Sequence, residues 1–381
     1  MNPISIAVSG LHRGENPQPG AGIVRSLRRS CPGARIIGLV YDIKESGIYA
    51  EDGPDEVQLM SYPGAGAGAY FRRLDSLLEK TRVDFLIPTL DAEIEVLVNW
   101  TDELALRGIH VCLPDGATLR RRSKALLPEL ARTCGITVPK TRIAHDLGAA
   151  REAAAELGYP LMIKGAYYEA QRVHSAPQAQ FAAARLFSEW GGPVILQRCV
   201  SGPEFNILGL GDGNGGVHGH CSIRKTVLSD TGKGLGGIVV RDARLTLLCE
   251  NLIGELHWPG PFEIELIYDE IAREYVLIEM NPRFPAWVDF PSMLGAHFPA
   301  ALVDLLGGVP VRTLPACPPG AFFLRHQIEV VGNIDRYAGL LDEEPAALAH
   351  DPLSFYPTFE NSHHESPLSA PAPSTSRLGI F

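Results

Sequence analysis

Apolar positions fall into short continuous runs in the first third of this chain and into alternating ones later. Residues 4–8, Ile-Ser-Ile-Ala-Val, have the length of a buried strand and give way to Ser9, Gly10, Gly14, Pro17, Pro19, Gly20 and Gly22. Residues 23–29 then read as helix, 35–41 as a second strand, 70–80 as helix, 84–88 as a third strand and 109–113 as a fourth. Strands alternating with helices predict a parallel, Rossmann-like sheet over residues 1–113. The glycine-rich turn lacks Gly-x-Gly-x-x-Gly at its proper spacing, which weighs against a nicotinamide oxidoreductase.

From residue 114 the texture changes. A helical stretch over 117–134 carries Arg120, Arg121, Arg122 and Lys124, most simply a solvated face. An Ala/Glu-rich helix over 147–157 follows, then Leu161-Met162-Ile163-Lys164, an apolar strand ending on a lysine that suits an anion. Strands over 194–200 and 204–210, a tight turn over 211–216 leading to 219–227, and a hairpin over 262–269 and 274–281 predict an antiparallel α+β module. Beyond about residue 345 the chain is rich in Pro, Ser and Ala, the composition of a mobile tail that forms no packed core.

With 381 residues, 45% hydrophobic and 20% charged, the chain can build two or three domains with substantial cores. Its formal charge of −10 works against a sequence-independent grip on nucleic acid or an anionic membrane, so neither partner is expected. Any anionic ligand needs a local cluster of cations. The opening residues show no basic leader, and no stretch has the length of a membrane span. Seven scattered cysteines without Cys-x-x-Cys fit reduced thiols in a cytoplasmic protein.

The second hairpin carries the chemistry. Glu263, Glu265, Glu279 and Asn281 all have odd numbers, and a loop centred on residue 272 sets Glu265 opposite Glu279 with all four side chains on one face. Opposed carboxylates repel unless a cation lies between them, and two acids with an amide suit Mg²⁺ bound together with a phosphate. The plain alternative is a solvent-facing strand pair with ordinary surface acids. Glu279-Met280-Asn281-Pro282-Arg283 tips the balance, because it places two metal ligands and one phosphate fork side by side.

With that motif the chain resembles the ATP-grasp enzymes, most closely the carbamoyl-phosphate-synthetase and biotin-carboxylase-like branch, whose signature is Glu-x-Asn-Pro-Arg at a strand end. The resemblance covers roughly residues 1–312. It implies a Rossmann-like pre-ATP-grasp domain (1–113), a small lobe with linker helices (114–195), a large lobe (196–312), a C-terminal extension (313–344) and a mostly disordered tail (345–381). It further implies ATP with Mg²⁺ (two ions, Mn²⁺ as a substitute) and a carboxylate–amine ligase acting through an acyl phosphate on small-molecule or peptide substrates. Dimerisation is expected on the pattern of relatives.

Residue by residue, the resemblance puts Lys124 and Lys164 on the phosphates, Gln197 and the backbone of Arg198 and Val200 at the adenine hinge, and Glu204 on the ribose hydroxyls. It puts Glu265, Glu279 and Asn281 on the metal, and Arg283 on the transferred phosphoryl group. Arg224 and Lys225, in a cationic stretch followed by glycine-rich 230–237, are candidates for an acyl phosphate or substrate carboxylate. The Ser9–Gly22 turn and the pair Trp287 and Phe290 are candidate walls of the acceptor pocket. Three features depart from the family: a glycine-poor lid over 165–170, Gln197 where Glu is commoner, and no glutaminase unit or biotin-carboxylase substrate motif. A partner-dependent, non-catalytic ATP-binding subunit is the alternative.

Overall fold

All of β1 (Ser5–Ser9) is buried, because both faces of its sheet are covered. Its neighbours are β2 (Arg35–Val40), β3 (Glu56–Leu59), β4 (Phe85–Ile87) and β5 (His110–Val111), parallel and in the order β3-β2-β1-β4-β5. On one face Ala7, Ile37 and Leu39 pack with residues of α2 (Ala67–Leu78), α3 (Asp91–Leu97) and α4 (Thr101–Leu106). On the other, Ile6 and Val8 share a core with Ile23 and Leu27 of α1 (Gly20–Ser30) and with Phe284, Trp287 and Phe298. A Cβ on Gly20 would lie 2.1 Å from the Ser9 carbonyl oxygen, so glycine lets α1 start hard against the end of β1. The computed structural model describes residues 3–14, 16–165, 170–229, 232, 234–327, 329–330 and 346–347. Lid residues 166–169, loop residues Asp230, Thr231 and Lys233, and the tail apart from Ala346–Ala347, which pairs with β3, lie outside them.

The expected helix over 117–134 is two, α5 (Gly116–Arg121) and α6 (Leu127–Thr133). Pro128 in the first turn of α6 has no N–H to continue a helix, so the chain turns at 122–126, with Lys124 in that turn. Nor is the arginine run simply solvated: Arg122 is buried, 3.2 Å from Glu95, and Arg121 pairs with Glu255 at 2.6 Å.

A small antiparallel sheet of β6 (Thr141–Ala144), β7 (Leu161–Gly165), β8 (Ala170–Val173) and β9 (Val194–Arg198) follows, in the order β6-β9-β7-β8. It is backed by the alanine-rich faces of α7 (Leu147–Leu157) and α8 (Ala176–Trp190). β9 straddles residue 195, where the lobes were divided, and all its pairing is within this sheet. The larger antiparallel sheet contains β10 (Glu204–Asp212), β11 (Val217–Leu228), β12 (Gly234–Val239), β13 (Pro259–Asp269), β14 (Glu274–Asn281) and β15 (Phe322–Leu324), ordered β14-β13-β10-β11-β12-β15. Its even-numbered β13 residues Phe262, Ile264 and Leu266 pack on α9 (Ala243–Leu256), while Leu208, Cys221 and Ile223 look into the core shared with β1, α10 (Asp289–Met293) and α11 (Phe298–Leu306). No described helix is long and apolar enough to cross a membrane.

At the carboxyl end of β1, Ser9 is spent on structure. Its hydroxyl donates to Glu93 Oε2 at 2.5 Å, Tyr41 OH donates to Oε1 at 2.7 Å, and Glu93 is fully buried. Burial raises the Glu93 carboxyl above its ordinary 4.5, against the pull of the Ser9 and Tyr41 hydrogen bonds. A raised folded-state value contributes stability that is complete below 4.5 and is lost as pH rises through the folded value. Thermal unfolding of Glu93→Gln should therefore gain on the wild type between pH 5 and pH 8, and a constant difference would place the titration elsewhere.

Candidate active site

β13 and β14 bring the acids together as their spacing predicts: Glu263 pairs with Asn281 and Glu265 with Glu279. A bulge after Glu265 then shifts the register, so that Leu266 faces Leu277 and Tyr268 faces Tyr275. Asn206 on β10 stands beside Glu265 and puts a polar group on the same face.

Glu263 organises this face. It accepts from Asn206 Nδ2 (2.5 Å), Asn281 Nδ2 (3.1 Å), Trp287 Nε1 (3.3 Å) and the Arg283 guanidinium (3.4 Å). Burial and the neighbouring Glu265 charge push its carboxyl up, and Arg283 and Asn206 pull it back. Arg283 in turn donates through Nε to Asp91 Oδ1 at 3.1 Å, a contact that reaches across to the start of α3. Burial alone would lower Arg283, but Asp91, Glu263, Glu265 and Glu279 around it outweigh burial and raise it.

Lys225 lies among the acids rather than on a mobile loop, donating to Glu204 at 2.9 Å and to Glu265 at 3.3 Å. Burial opposes its charge, but Glu265 and Glu204 raise it above its ordinary 10.5. Arg224 does not join it. Strand alternation puts that exposed side chain on the opposite face of β11, so pairing the two as one catalytic unit is corrected here.

Lys164, buried at the end of β7, donates to Gln197 Oε1 at 2.7 Å, and Gln197 Nε2 donates to Thr141 at 3.2 Å. Burial lowers Lys164, Glu279 and Glu265 raise it in part, and Lys124 lowers it further. The charges of the small sheet, the linker turn and the large sheet therefore act on one another here. The amide at 197 accepts from this lysine without supplying a compensating charge. At the end of β9, the Arg198 N–H donates to the Lys140 carbonyl at 2.9 Å.

Glu265, Glu279 and Asn281 offer hard oxygen donors on adjacent strands, with no thiol or imidazole among them. That set fits Mg²⁺ or Mn²⁺, which are commonly held by one or two carboxylates and completed by substrate phosphates. Among the described residues no three His, Cys, Asp or Glu side chains form a closed cage, so an ion here would draw its other ligands from water and phosphate.

No family model matches the sequence. The carbamoyl phosphate synthase large chain of Thermotoga petrophila is 35% identical over 238 residues, 55% of this chain and 21% of that protein. The chain thus spans about a fifth of that relative's length. Biotin carboxylase of Campylobacter jejuni, solved as a β-γ-ATP complex, superposes with a TM-score of 0.63 at 15% identity, over 80% of this chain and 71% of that one. The biotin carboxylase domain of Hydrogenobacter thermophilus 2-oxoglutarate carboxylase, solved with MgADP, ADP and bicarbonate, gives 0.61 at 18% identity over 81% and 70%. The chain is similar to ATP-grasp proteins, on their carbamoyl phosphate synthase and biotin carboxylase-like branch. The likeness to the solved structures is one of fold, the mixed α/β sheets of an ATP-grasp protein. Two residues at this site escape a motif search. Asp91 is 192 positions from Arg283, and Glu263, visible in the alternation, shows its part as an anchor only through its four donors.

Proposed function

We propose that the chain is an ATP-dependent carboxylate–amine ligase, and the observation that carries this reading is the convergence of Lys164 with Glu265, Glu279 and Lys124 beside Arg283. A carboxylate oxygen of the acid substrate attacks the γ-phosphorus of ATP, the bond to the β–γ bridging oxygen breaks, and ADP leaves. A neutral amine then attacks the acyl carbon, phosphate departs, and the amine proton passes to solvent. Because little covalent chemistry falls to the protein, its work is positioning and charge neutralisation.

In this reading Lys124 and Lys164 hold phosphates, the Arg198 carbonyl and Val200 N–H meet the adenine edge, and Glu204 takes the ribose hydroxyls once Lys225 releases it. Arg283, anchored from two sides, stabilises charge on the phosphoryl group in flight. Mg²⁺ on Glu265, Glu279 and Asn281 would neutralise phosphate charge. We take 1–113 as the Rossmann-like pre-ATP-grasp domain, 114–195 and 196–312 as small and large lobes meeting at β9, and 313–344 as an extension.

The test is release of ADP and phosphate from Mg-ATP with pools of amino acids and small carboxylates, alongside a nucleotide titration. Release that requires both an acid and an amine is expected. Tight nucleotide binding without release would favour a regulatory ATP-binding subunit, and absence of binding would overturn both readings.

A further inference from the structure

Residues 314–321, between α11 and β15, are held against β11. A Cβ on Gly219 would lie 3.0 Å from Leu314 Cβ, so the missing side chain lets the two backbones approach. Two residues on, the same face of β11 presents Cys221, which shares a buried core with Leu208, Leu210 and Cys317. Backbone hydrogen bonds pin the chain just beyond Cys317: the Gly320 N–H donates to the Val239 carbonyl at 3.0 Å, and the Val239 N–H to the Ala321 carbonyl at 2.8 Å. Val239 is in turn paired with Ile223 on β11. Cys221 and Cys317 are both free thiols, and the Cys221 S–H donates to the Cys317 sulfur.

This pair differs from the other cysteines. Burial raises the thiols of Cys31, Cys112, Cys134, Cys199 and Cys249, which keeps them protonated and inert. Cys317 is lowered instead, because the hydrogen bond from Cys221 stabilises its thiolate against the opposing effect of burial, while the same bond raises Cys221. The pair is also reachable. β12 stops pairing with β11 at Val239, and there a cavity of about 250 Å³ is lined by Cys221 and Cys317 together with His220, Ser222 and Arg241. His220 Nδ1 and Ser222 Oγ have no hydrogen-bond partner among the described residues, so this wall can hold a small polar molecule beside the sulfurs.

We propose that Cys221 and Cys317 form a modification site, a thiol pair that hydrogen peroxide converts into an intramolecular disulfide. The Cys317 thiolate attacks one peroxide oxygen, the O–O bond breaks, and the leaving hydroxide takes up the proton that Cys317 had lost, giving water and a sulfenic acid. The Cys221 sulfur then attacks the sulfenic sulfur, the S–O bond breaks, and hydroxide leaves with the Cys221 proton as a second water. Two thiols are oxidised to one disulfide and one peroxide is reduced to two waters. The bond ties β11 to the run into β15, which adds a covalent link to backbone pairing already present there. It is independent of the ligase reading.

The test treats the folded full chain with hydrogen peroxide, blocks remaining thiols with an alkylating reagent, and maps peptides by mass spectrometry without reduction. The Cys221–Cys317 cross-link should exceed every other cysteine pair by about tenfold or more, the other five cysteines should be recovered alkylated, and dithiothreitol should return both thiols. The same treatment in denaturing urea should erase the preference, since it depends on the fold. A missing cross-link once methionine oxidation shows that peroxide has acted, faster oxidation at another cysteine, or an equal preference in urea would each overturn the proposal. These readings use the wild type alone, so they stand even where a variant fails to fold. The order of the two thiols is tested with Cys221→Ser, in which dimedone should label Cys317 as a trapped sulfenic acid, and with Cys317→Ser, in which Cys221 should stay unlabelled. Labelling of Cys221 in Cys317→Ser at the rate of Cys317 in Cys221→Ser would overturn the assignment of Cys317 as the attacking thiol.

Discussion

Arg283→Met is expected to lower ADP release by about 10²–10³-fold, the loss that follows removal of a preorganised charge aimed at the reacting centre. Arg283→Lys should recover little, since an ammonium cannot reach Asp91 and Glu263 with the geometry of a fork. A fall in activity alone would not separate chemistry from folding, because Arg283 also compensates the buried Glu263. Without it that carboxyl rises further, so Arg283→Met should lose about 2–4 kcal/mol of stability at neutral pH. The loss should shrink towards acid, because a group with a raised folded-state value contributes its stability below its ordinary 4.5 and loses it as pH rises through the folded value. Adding Glu263→Gln to Arg283→Met should restore most of the thermal stability and none of the turnover. Near-normal turnover in Arg283→Met, with the variant folded, would sink the assignment of Arg283 to the phosphoryl group.

Much of this site was legible because strand alternation is a local rule. The odd numbers of Glu263, Glu265, Glu279 and Asn281 and the centre of their turn sufficed to pair Glu265 with Glu279. The register shift just beyond Glu265 was not legible, since a bulge is chosen by packing on both faces rather than by the strand's own residues. β3 was missed because four residues, Glu-Val-Gln-Leu, carry too little pattern, and the helix over 117–134 was drawn too long because its apolar spacing continues past Pro128. Partners far apart in sequence were least visible, as with Asp91 and Arg283. Such pairings are set by how sheets meet, which no window along the chain contains.

Lys225→Met should cost about 2–3 kcal/mol, because it removes an ammonium that donates to both Glu204 and Glu265 and leaves their charges opposed beside Glu263. The wild-type ammonium is itself largely buried while its two acids are about one-third exposed, which keeps the figure below that of a fully enclosed pair. The lysine's raised value means that its contribution is complete below 10.5 and is lost only as pH climbs through the folded value, so the penalty should be constant across the neutral range. The same substitution exposes the metal ligands to a test independent of turnover. If Glu265, Glu279 and Asn281 hold Mg²⁺, the ion and the Lys225 ammonium compete for Glu265. Added MgCl₂ should then raise the Tm of Lys225→Met more than that of the wild type, and Glu265→Gln on the Lys225→Met background should abolish the difference. Identical Mg²⁺ responses in all three proteins would remove Glu265 from the metal site and leave Lys225 as a purely structural clamp between β10 and β13.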